Sequence, residues 1–256
     1  MGWAKDTAKT VIAKTLSPGM QHRLRRFYLV RNVLTGREFH EVEMNALASI
    51  VAPGDAVADI GANVGAYTRQ LSSLVGPSGR VCAFEPVAAN HDILQTVVRK
   101  GRLTNVELFR LALGAKLEER EIAIPDLGGF TGYYWAHFAK PGEHGEKVTV
   151  STLDELARKN ALPRLDFIKC DVEGSELDVL RGGRALIESQ RPAWLIEVAR
   201  DTSTDVFAAL QGQGYRAFVY DGKLHETAGY RDREFSNYFF FHPGSKVWPR
   251  VEDLIK

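Results

Sequence analysis

Carboxylates cluster near the ends of two apolar segments in the second half of the chain. Asp171, Glu173 and Glu176 follow the apolar run at 165–170. Glu197 lies within a second apolar run, where an isolated charge needs a partner or a metal. Asp171, Glu173 and Glu197 could jointly hold a hard cation such as Mg²⁺, which prefers carboxylate oxygens. Hydrogen bonding to a substrate is the competing interpretation, and Glu176 is typical of a surface acid at a helix N-terminus.

A glycine-bearing loop in the first half of the chain has the composition of a nucleoside-binding turn. In the run 59–65, Gly61 allows a tight bend and Gly65 allows the following helix to approach closely. A dinucleotide fingerprint would place glycines at 61, 63 and 66, but Asn63 and Ala66 hold the last two positions. The Asn63 side chain stands where a pyrophosphate needs bare backbone. The loop therefore favours a nucleoside ligand without a diphosphate over NAD.

Two acids, one at the start of this loop and one at the end of the next predicted strand, suit the two ends of such a ligand. Glu85 stands twenty residues beyond Gly65, at the end of the next predicted strand. A carboxylate in that place accepts hydrogen bonds from both hydroxyls of a ribose. Asp59 comes just before the loop, where it could face a positively charged part of the ligand.

The segment 115–150 is predicted to be either a substrate-binding lid or a structural β-excursion that covers the core. It is rich in glycine, aromatic and histidine residues, namely Gly128, Gly129, Gly132, Tyr133, Tyr134, Trp135, His137 and His144. His144 is the preferred general base, because Gly142 and Gly145 flank it and mobile backbone could bring it to the site. The three consecutive aromatic residues could stack on sugar faces or pack in the core.

These residues lie in a chain whose short apolar runs alternate with longer amphipathic segments. Continuous apolar strands separated by helices predict a parallel α/β sheet that is covered on both faces. Right-handed connections bring the loops after the strands to one edge, where such sheets bind ligands. The predicted strands are 56–60, 80–84, 106–113, 165–170, 193–198, 215–220 and 237–242, and the predicted helices are 42–51, 64–75, 87–100 and 177–188.

Length and composition are those of a globular protein. The 256 residues are 45% hydrophobic and 25% charged, which excludes collagen-like and largely disordered chains. No apolar run reaches the roughly 18 residues that cross a bilayer, so stable membrane insertion is not expected. Cys82 and Cys170 are expected to be reduced core thiols of a cytoplasmic protein. The formal charge of +1 argues against a nucleic-acid partner.

Residues 1–40 are predicted to form a basic helical appendage, and residues 41–256 a single domain. The appendage carries eight bases and only two acids. Three interpretations remain open: a helix docked on the domain or on a partner subunit, contact with an anionic substrate, and contact with a membrane surface. The first of these makes a homodimer plausible.

Three ordered motifs resemble the FkbM family of methyltransferases that depend on S-adenosylmethionine (SAM). They are DIGANVGAYT at 59–68, AFEP at 83–86 and IKCDVEGSE at 168–176. The resemblance implies the Rossmann-like class I SAM-methyltransferase fold, a seven-stranded and mostly parallel sheet with helices on both faces and an antiparallel last strand. To this fold the sequence adds the N-terminal helical appendage and the insertion near residues 115–150.

The resemblance also implies SAM as the methyl donor and a small-molecule hydroxyl as the acceptor, with a saccharide favoured. The family's SAM loop corresponds to Asp59, Gly61, Asn63, Gly65 and Tyr67, its ribose acid to Glu85, and its active edge to Asp171 and Glu173. Asp171 is thus expected both to contact the cofactor and to take part in catalysis.

The expected reaction is O-methylation, in which the hydroxyl proton must be removed or polarised. His144 as base, a Mg²⁺ ion held by the acidic cluster, or both together would do this. Two alternative functions remain open: an NAD-linked oxidoreductase and a SAM-binding protein without catalytic activity.

Overall fold

The computed structural model describes residues 17–37, 40–125, 133–231 and 234–255 as an α/β protein. Residues 1–16, 38 and 39 of the predicted basic appendage, and Gly128, Gly129 and Gly132 of the predicted lid, lie outside these ranges. Within them, no helix is long and apolar enough to cross a lipid bilayer.

The strands of the described chain form two sheets. They are β1 (Ala56–Ile60), β2 (Arg80–Phe84), β3 (Val106–Phe109), β4 (Ala112–Leu113), β5 (Glu118–Ala123), β6 (His137–Phe138), β7 (Glu146–Ser151), β8 (Phe167–Cys170), β9 (Ala193–Glu197), β10 (Arg216–Tyr220), β11 (Leu224–Thr227) and β12 (Asn237–Phe241). The central sheet has eight strands in the order β11-β10-β12-β9-β8-β1-β2-β3. Strands β1, β2, β3, β8 and β9 are parallel, whereas β12 runs antiparallel to both of its neighbours.

The central sheet confirms the predicted fold class and corrects two details. The last strand, β12, is antiparallel as expected. The sheet has an eighth strand because the chain turns at Asp221 and Gly222 and β11 pairs back on β10. The strand predicted at 106–113 is divided: β3 belongs to the central sheet, and β4 pairs with β7 in the second sheet.

The helices cover both faces of the central sheet. They are α1 (Pro18–Thr35), α2 (Leu47–Ile50), α3 (Ala66–Val75), α4 (Ala88–Gly101), α5 (Leu153–Arg158), α6 (Glu176–Gly182), α7 (Arg184–Gln190), α8 (Ser203–Gln211) and α9 (Trp248–Ile255). The helix predicted at 42–51 is instead a 3₁₀ turn (Val42–Asn45) followed by α2. The helix predicted at 177–188 is instead two helices that meet at Gly183. Gly183 packs so closely on Leu153 that a Cβ on Gly183 would lie 2.8 Å from Leu153 Cδ1.

Alternation along the strands sorts the side chains between two cores. In β1, Ala58 and Ile60 belong to the core beneath α5–α8, whereas Val57 belongs to the core beneath α2, α3 and α9. Since side chains alternate between faces, Asp59 lies on the same face as Val57. The same period places Lys169, Glu197 and Asn237 on that face, with Lys169 directly beside Asp59 in the strand register. The sheet thus gathers polar side chains from four strands next to α3.

The insertion forms a small sheet that lies beside the central one. Its four strands are ordered β4-β7-β5-β6, and their apolar side chains pack around Val87, next to the start of α4. A 3₁₀ turn at Tyr133–Trp135 leads into β6. The insertion therefore has a structural core of its own and also borders the ligand edge of the central sheet.

Candidate active site

Two adjoining cavities lie where β1, β2, β8 and β9 end. The first spans about 650 Å³ and the second about 1080 Å³, and both volumes include space that is open to solvent. Gly61, Asn63, Asp171 and Glu173 line both of them. The two spaces therefore form one cleft, with its junction between the glycine loop and the loop after β8.

The glycine loop has the two features predicted from the sequence, a tight bend at Gly61 and a close approach of the following helix at Gly65. Gly61 has a φ of +77°, and a Cβ at that position would lie 1.8 Å from the Asp171 carbonyl oxygen. Gly65 has a φ of +94°, and its Cβ would lie 2.6 Å from Leu94 Cδ1 on α4. Both positions thus require glycine for backbone conformation and for space. Asn63 also takes a left-handed conformation, which asparagine tolerates better than most residues.

Glu85 holds the loop and faces the first cavity. Its two carboxylate oxygens accept hydrogen bonds from the backbone N–H groups of Asn63 and Val87, each at 2.8 Å. The residue is only 4% exposed, and this burial raises the pKa of Glu85 to about 7 against the opposing effect of those two hydrogen bonds. A carboxylate has about four acceptor positions, so two remain for a ligand.

The rest of the first cavity combines apolar walls with a few polar groups. The apolar walls are Phe84, Pro86, Leu111, Leu113, Val172 and Phe138. Asn90 is held in place because Arg25 of α1 donates a hydrogen bond to its Oδ1 at 2.9 Å. Its Nδ2 in turn donates to the carbonyl oxygen of Tyr133 at 3.3 Å. Such a mixture suits a flat, partly apolar ligand such as a nucleoside.

The second cavity is strongly acidic. Its lining includes five carboxylates, Glu41, Asp59, Asp171, Glu173 and Glu197, against a single base, Lys169. Lys169 is 4% exposed, and its Nζ donates to Asp171 Oδ2 at 2.9 Å and lies 4.9 Å from the centre of the Tyr67 ring. Burial opposes its charge, but the negative charges of Asp171 and Asp59 raise the pKa of Lys169 above its usual value. Lys169 is therefore a fixed cation at the centre of this cleft.

One buried cation is too few for the acids around it. Burial and the charge of Asp171 raise the pKa of Glu197 to about 9, so at neutral pH Glu197 is protonated and hydrogen-bonded to Asp171. Burial acts against Asp171 as well, yet Lys169 holds the pKa of Asp171 below its usual value. Partial burial of its carboxyl raises the pKa of Glu173 to about 7, together with the charges of Asp171 and Glu176. The cleft thus compensates for its excess of negative charge by holding protons.

Two further acids complete the wall beside α3. Glu41 Oε2 accepts hydrogen bonds from the Tyr67 hydroxyl at 2.6 Å and from Asn237 Nδ2 at 3.2 Å. Asp59 is fully buried, and its Oδ2 accepts from the Thr68 hydroxyl at 2.5 Å. The other Asp59 oxygen and the Asn63 side-chain oxygen have no hydrogen-bond partner in the described structure. These acceptors suit a ligand that donates hydrogen bonds, such as an ammonium group.

Asp171, Glu173 and Glu197, which the sequence suggested as joint ligands of a cation, lie close together. Each offers one carboxylate oxygen, and these oxygens lie within 4.8 Å of one another. The chemistry of this donor set fits Mg²⁺. Lys169 already pairs with Asp171. The remaining negative charge of the three carboxylates can be neutralised either by a proton or by a bound cation.

Glu176 has a different role from the surface acid that the sequence suggested. It is buried, and its Oε1 accepts hydrogen bonds from the backbone N–H groups of Val172 at 3.2 Å and Gly174 at 3.0 Å. Glu176 therefore fixes the loop that carries Asp171 and Glu173. Ser175, which immediately precedes α6, makes no side-chain capping hydrogen bond.

The structure does not bring His144 to the cleft. Its side chain is 94% exposed, and its only ion-pair contact in the described structure is with Glu121, 3.8 Å away. Gly145 explains this placement: its backbone lies so close to Ile122 of β5 that a Cβ would be 1.9 Å from the Ile122 carbonyl oxygen. The glycine there serves close packing of the loop on β5, rather than the mobility that the sequence suggested.

His137 of the same insertion does line the first cavity. Its Nδ1 lies 2.9 Å from the Trp135 carbonyl oxygen and its Nε2 lies 3.2 Å from Glu143 Oε2. Both partners are acceptors, so both contacts are hydrogen bonds only when both ring nitrogens carry protons. Glu173, which reaches solvent and has a pKa near 7, is the better placed base.

Sequence reasoning missed two of the residues that organise the cleft. Lys169 stands inside an apolar strand, the same signal that singled out Glu197, and could have been found by that rule. Glu41 lies before the first predicted helix, and only its hydrogen bonds to α3 and β12 reveal its place. No local pattern would have found it.

Known proteins are similar to this chain in sequence and in fold. A family model described as the methyltransferase FkbM domain matches residues 59–217. A solved structure, the methyltransferase FkbM from Methylobacillus flagellatus, is similar with a TM-score of 0.51 at 18% identity, covering 85% of this chain and 59% of that chain. At that identity the likeness shows the fold.

Two curated proteins are similar in sequence. The AMB antimetabolite synthetase AmbE of Pseudomonas aeruginosa is 28% identical over 197 residues, which is 63% of this chain and 9% of that protein. Methyltransferase 1 of Beauveria bassiana is 29% identical over 145 residues, 49% of this chain and 57% of that protein. The chain therefore spans a small part of the first relative and little more than half of the second.

Replacing the buried cation tests the electrostatic account of the cleft. In Lys169→Met, several buried carboxylates lose their counter-charge, which we expect to lower the free energy of unfolding by about 3–5 kcal/mol near pH 8. The loss should shrink towards about pH 5, because the carboxylates of the variant then take up protons. Chemical denaturation at both pH values measures this.

Lys159→Met is the matched control, since Lys159 pairs with Glu155 but is largely exposed. It should cost less than about 1 kcal/mol at either pH. An equal, pH-independent loss in both variants would contradict the role given to Lys169.

Proposed function

The chain belongs to the family of FkbM methyltransferase domains, and on that premise we propose that its cleft binds SAM and directs the methyl group to a small-molecule hydroxyl. The observation that carries this proposal is the charge of the second cavity, with five carboxylates and one base. SAM carries a sulfonium and an ammonium against one carboxylate. Its net positive charge complements the cleft, whereas the two negative charges of the NAD pyrophosphate would be repelled.

The two cavities suit the two ends of SAM. Adenosine belongs in the first cavity, where the remaining acceptor positions of Glu85 can take the ribose hydroxyls. The amino-acid end belongs in the second, where the Asp59 and Asn63 oxygens without partners can accept from its ammonium group. The sulfonium then falls near the junction, beside Asp171 and Glu173. This fit also supports the roles that the sequence motifs suggested for Gly61, Gly65 and Tyr67.

When bound, SAM would supply an activated methyl group: a C–O bond would form as the C–S bond breaks, and the acceptor hydroxyl would lose its proton. We assign that proton to Glu173. Its pKa near 7 matches the working range of a general base, and it lines both cavities. Asp171 orients the site: Lys169 and Glu197 hold its carboxylate, and its backbone carbonyl contacts the glycine loop.

A saccharide is the acceptor class that this entrance suits best. Trp135 lines the second cavity although 55% of its surface is exposed. An exposed indole at the mouth of a polar cleft offers a flat surface on which the apolar face of a sugar ring can stack. The acidic groups nearby can accept hydrogen bonds from the sugar hydroxyls.

A Mg²⁺-assisted reaction is the second candidate mechanism, favoured by the close approach of Asp171, Glu173 and Glu197. These three residues would hold the ion, which would lower the pKa of a bound hydroxyl. Proton transfer to Glu173 needs no metal, because Lys169 and the proton on Glu197 already neutralise Asp171.

Calorimetric titration tests the cofactor. We expect SAM to bind and NAD not to bind. Glu85→Gln should weaken SAM binding about 10- to 100-fold, because hydrogen bonds to a charged group contribute about 1.5–3 kcal/mol. The exposed Glu188→Gln is the control and should leave the affinity unchanged. Tight NAD binding without SAM binding would instead support the oxidoreductase alternative.

The reaction is tested by incubating isotopically labelled SAM with a panel of hydroxylated acceptors and detecting products by mass spectrometry. We expect a methylated saccharide. With the best acceptor, Glu173→Gln should lower kcat about 10²- to 10⁴-fold and remove the loss of activity below about pH 7. SAM binding without product from any acceptor would support the non-catalytic alternative.

His144→Ala is the matched control for the base and should retain full turnover, because the side chain faces solvent away from the cleft. If His144→Ala were inactive and Glu173→Gln active, the assignment of the base would be overturned.

Chelation separates the two mechanisms. We expect turnover to persist in excess chelator and Glu197→Gln to bind SAM within a few-fold of the original affinity, because the amide can replace the protonated acid as a hydrogen-bond donor to Asp171. Activity that is lost in chelator and restored by Mg²⁺, together with an inactive Glu197→Gln, would establish the metal mechanism.

A further inference from the structure

Helix α1 presents an exposed apolar stripe to its surroundings. Four of the eight exposed large hydrophobic side chains in the described ranges belong to this helix: Met20, Leu24, Phe27 and Tyr28. Phe27 is 65% exposed and Tyr28 is 63% exposed. Their spacings of four, three and one place them on one face, because a helix turns about 100° per residue. A contiguous patch of this kind marks an interaction surface.

The opposite face of α1 is firmly attached to the domain. Leu29, Val30 and Val33 are buried against side chains of α4. Arg26 donates a hydrogen bond to the Thr96 hydroxyl at 2.6 Å, and Arg25 reaches Asn90. The opposite face of α1 already packs on the domain, so the exposed stripe points away from the domain.

The charged residues of α1 itself are all basic. Arg23 and Arg31 are exposed next to the apolar residues, and α1 contains no acidic residue. The sixteen residues that precede the described chain add Lys5, Lys9 and Lys14 against one acid, Asp6. Aromatic and aliphatic side chains flanked only by bases are typical of helices that lie at the surface of an anionic bilayer.

We propose that the outer face of α1 docks on an anionic lipid surface, with Phe27 and Tyr28 at the level of the headgroups and with Arg23 and Arg31 contacting lipid phosphates. Charge decides between this occupant and a second copy of the chain. Pairing of two α1 stripes would bring their arginines together with no acid on either helix to balance them. This inference is independent of the proposed methyl transfer.

Docking through α1 would keep the cleft close to the bilayer. The guanidinium of Arg25 lies 4.1 Å from the centre of the Tyr133 ring, and both Tyr133 and Asn90, which Arg25 also contacts, line the first cavity. The helix thus forms the outer support of the first cavity.

Vesicle flotation with the full chain tests this proposal. Vesicles of equal parts phosphatidylcholine and phosphatidylglycerol should carry the protein to the top of the gradient, and vesicles of phosphatidylcholine alone should not. Phe27→Ser with Tyr28→Ser should weaken binding at least about tenfold, since two aromatic side chains leave the interface. Arg23→Gln with Arg31→Gln should weaken it about fivefold per arginine.

Leu117→Ser and Arg184→Gln are the matched controls, because they remove an exposed apolar side chain and an exposed arginine away from α1. Both should bind vesicles like the original chain, and circular dichroism confirms that every variant is folded. Equal binding to both vesicle types would overturn the anionic-surface proposal, and so would binding that survives all the α1 substitutions.

Sedimentation and nucleic-acid titration complete the test. A dimer that Phe27→Ser with Tyr28→Ser converts to monomer, without vesicle binding, would assign the stripe to a second copy and overturn the proposal. Binding to single-stranded RNA that the same substitutions abolish, again without vesicle binding, would overturn it in favour of a nucleic acid. A monomer that floats only with anionic vesicles supports it.

Discussion

The ion pair between Lys169 and Asp171 is the interaction on which the cleft depends. A lysine in the middle of a buried strand is tolerated only if carboxylates surround it, and here Asp171 lies at 2.9 Å and Asp59 stands beside it in the register. The acids outnumber the cation, so Glu197 and Glu173 hold protons more tightly than isolated carboxyls would. A cationic ligand can take the place of such protons, and this is what makes the cleft receptive to one.

The fold supplies this arrangement through register and side-chain alternation. Asp59, Lys169, Glu197 and Asn237 come from four different strands yet lie on one face of the sheet near one edge. Two loops then complete the cleft, the glycine loop after β1 and the loop after β8. Gly61 connects them, because only a residue without a Cβ can pass the Asp171 carbonyl oxygen.

The parts of the site that local motifs encode were predictable from the sequence. Glu85 and Gly61 belong to contiguous motifs at strand ends, and parallel strands bring such ends together. The pairing of Lys169 with Asp59 depends on strand register, and Glu41 reaches the cleft from a segment without a motif of its own. His144 illustrates the opposite error, because a flanking glycine can serve close packing as well as mobility. The eighth strand, β11, pairs back on β10 after the turn at Asp221 and Gly222, and the strands predicted from the sequence did not include it.

Proton release on binding tests the central claim most directly. Calorimetry near pH 7 in buffers of different ionisation enthalpy gives the number of protons released when SAM or S-adenosylhomocysteine binds. The two ligands share an amino group, a carboxylate and an adenosine, and they differ in the charge on sulfur. If the sulfonium neutralises the acidic cleft, SAM should displace the proton from Glu173 and release more protons than S-adenosylhomocysteine does. Equal release by the two ligands would contradict the account.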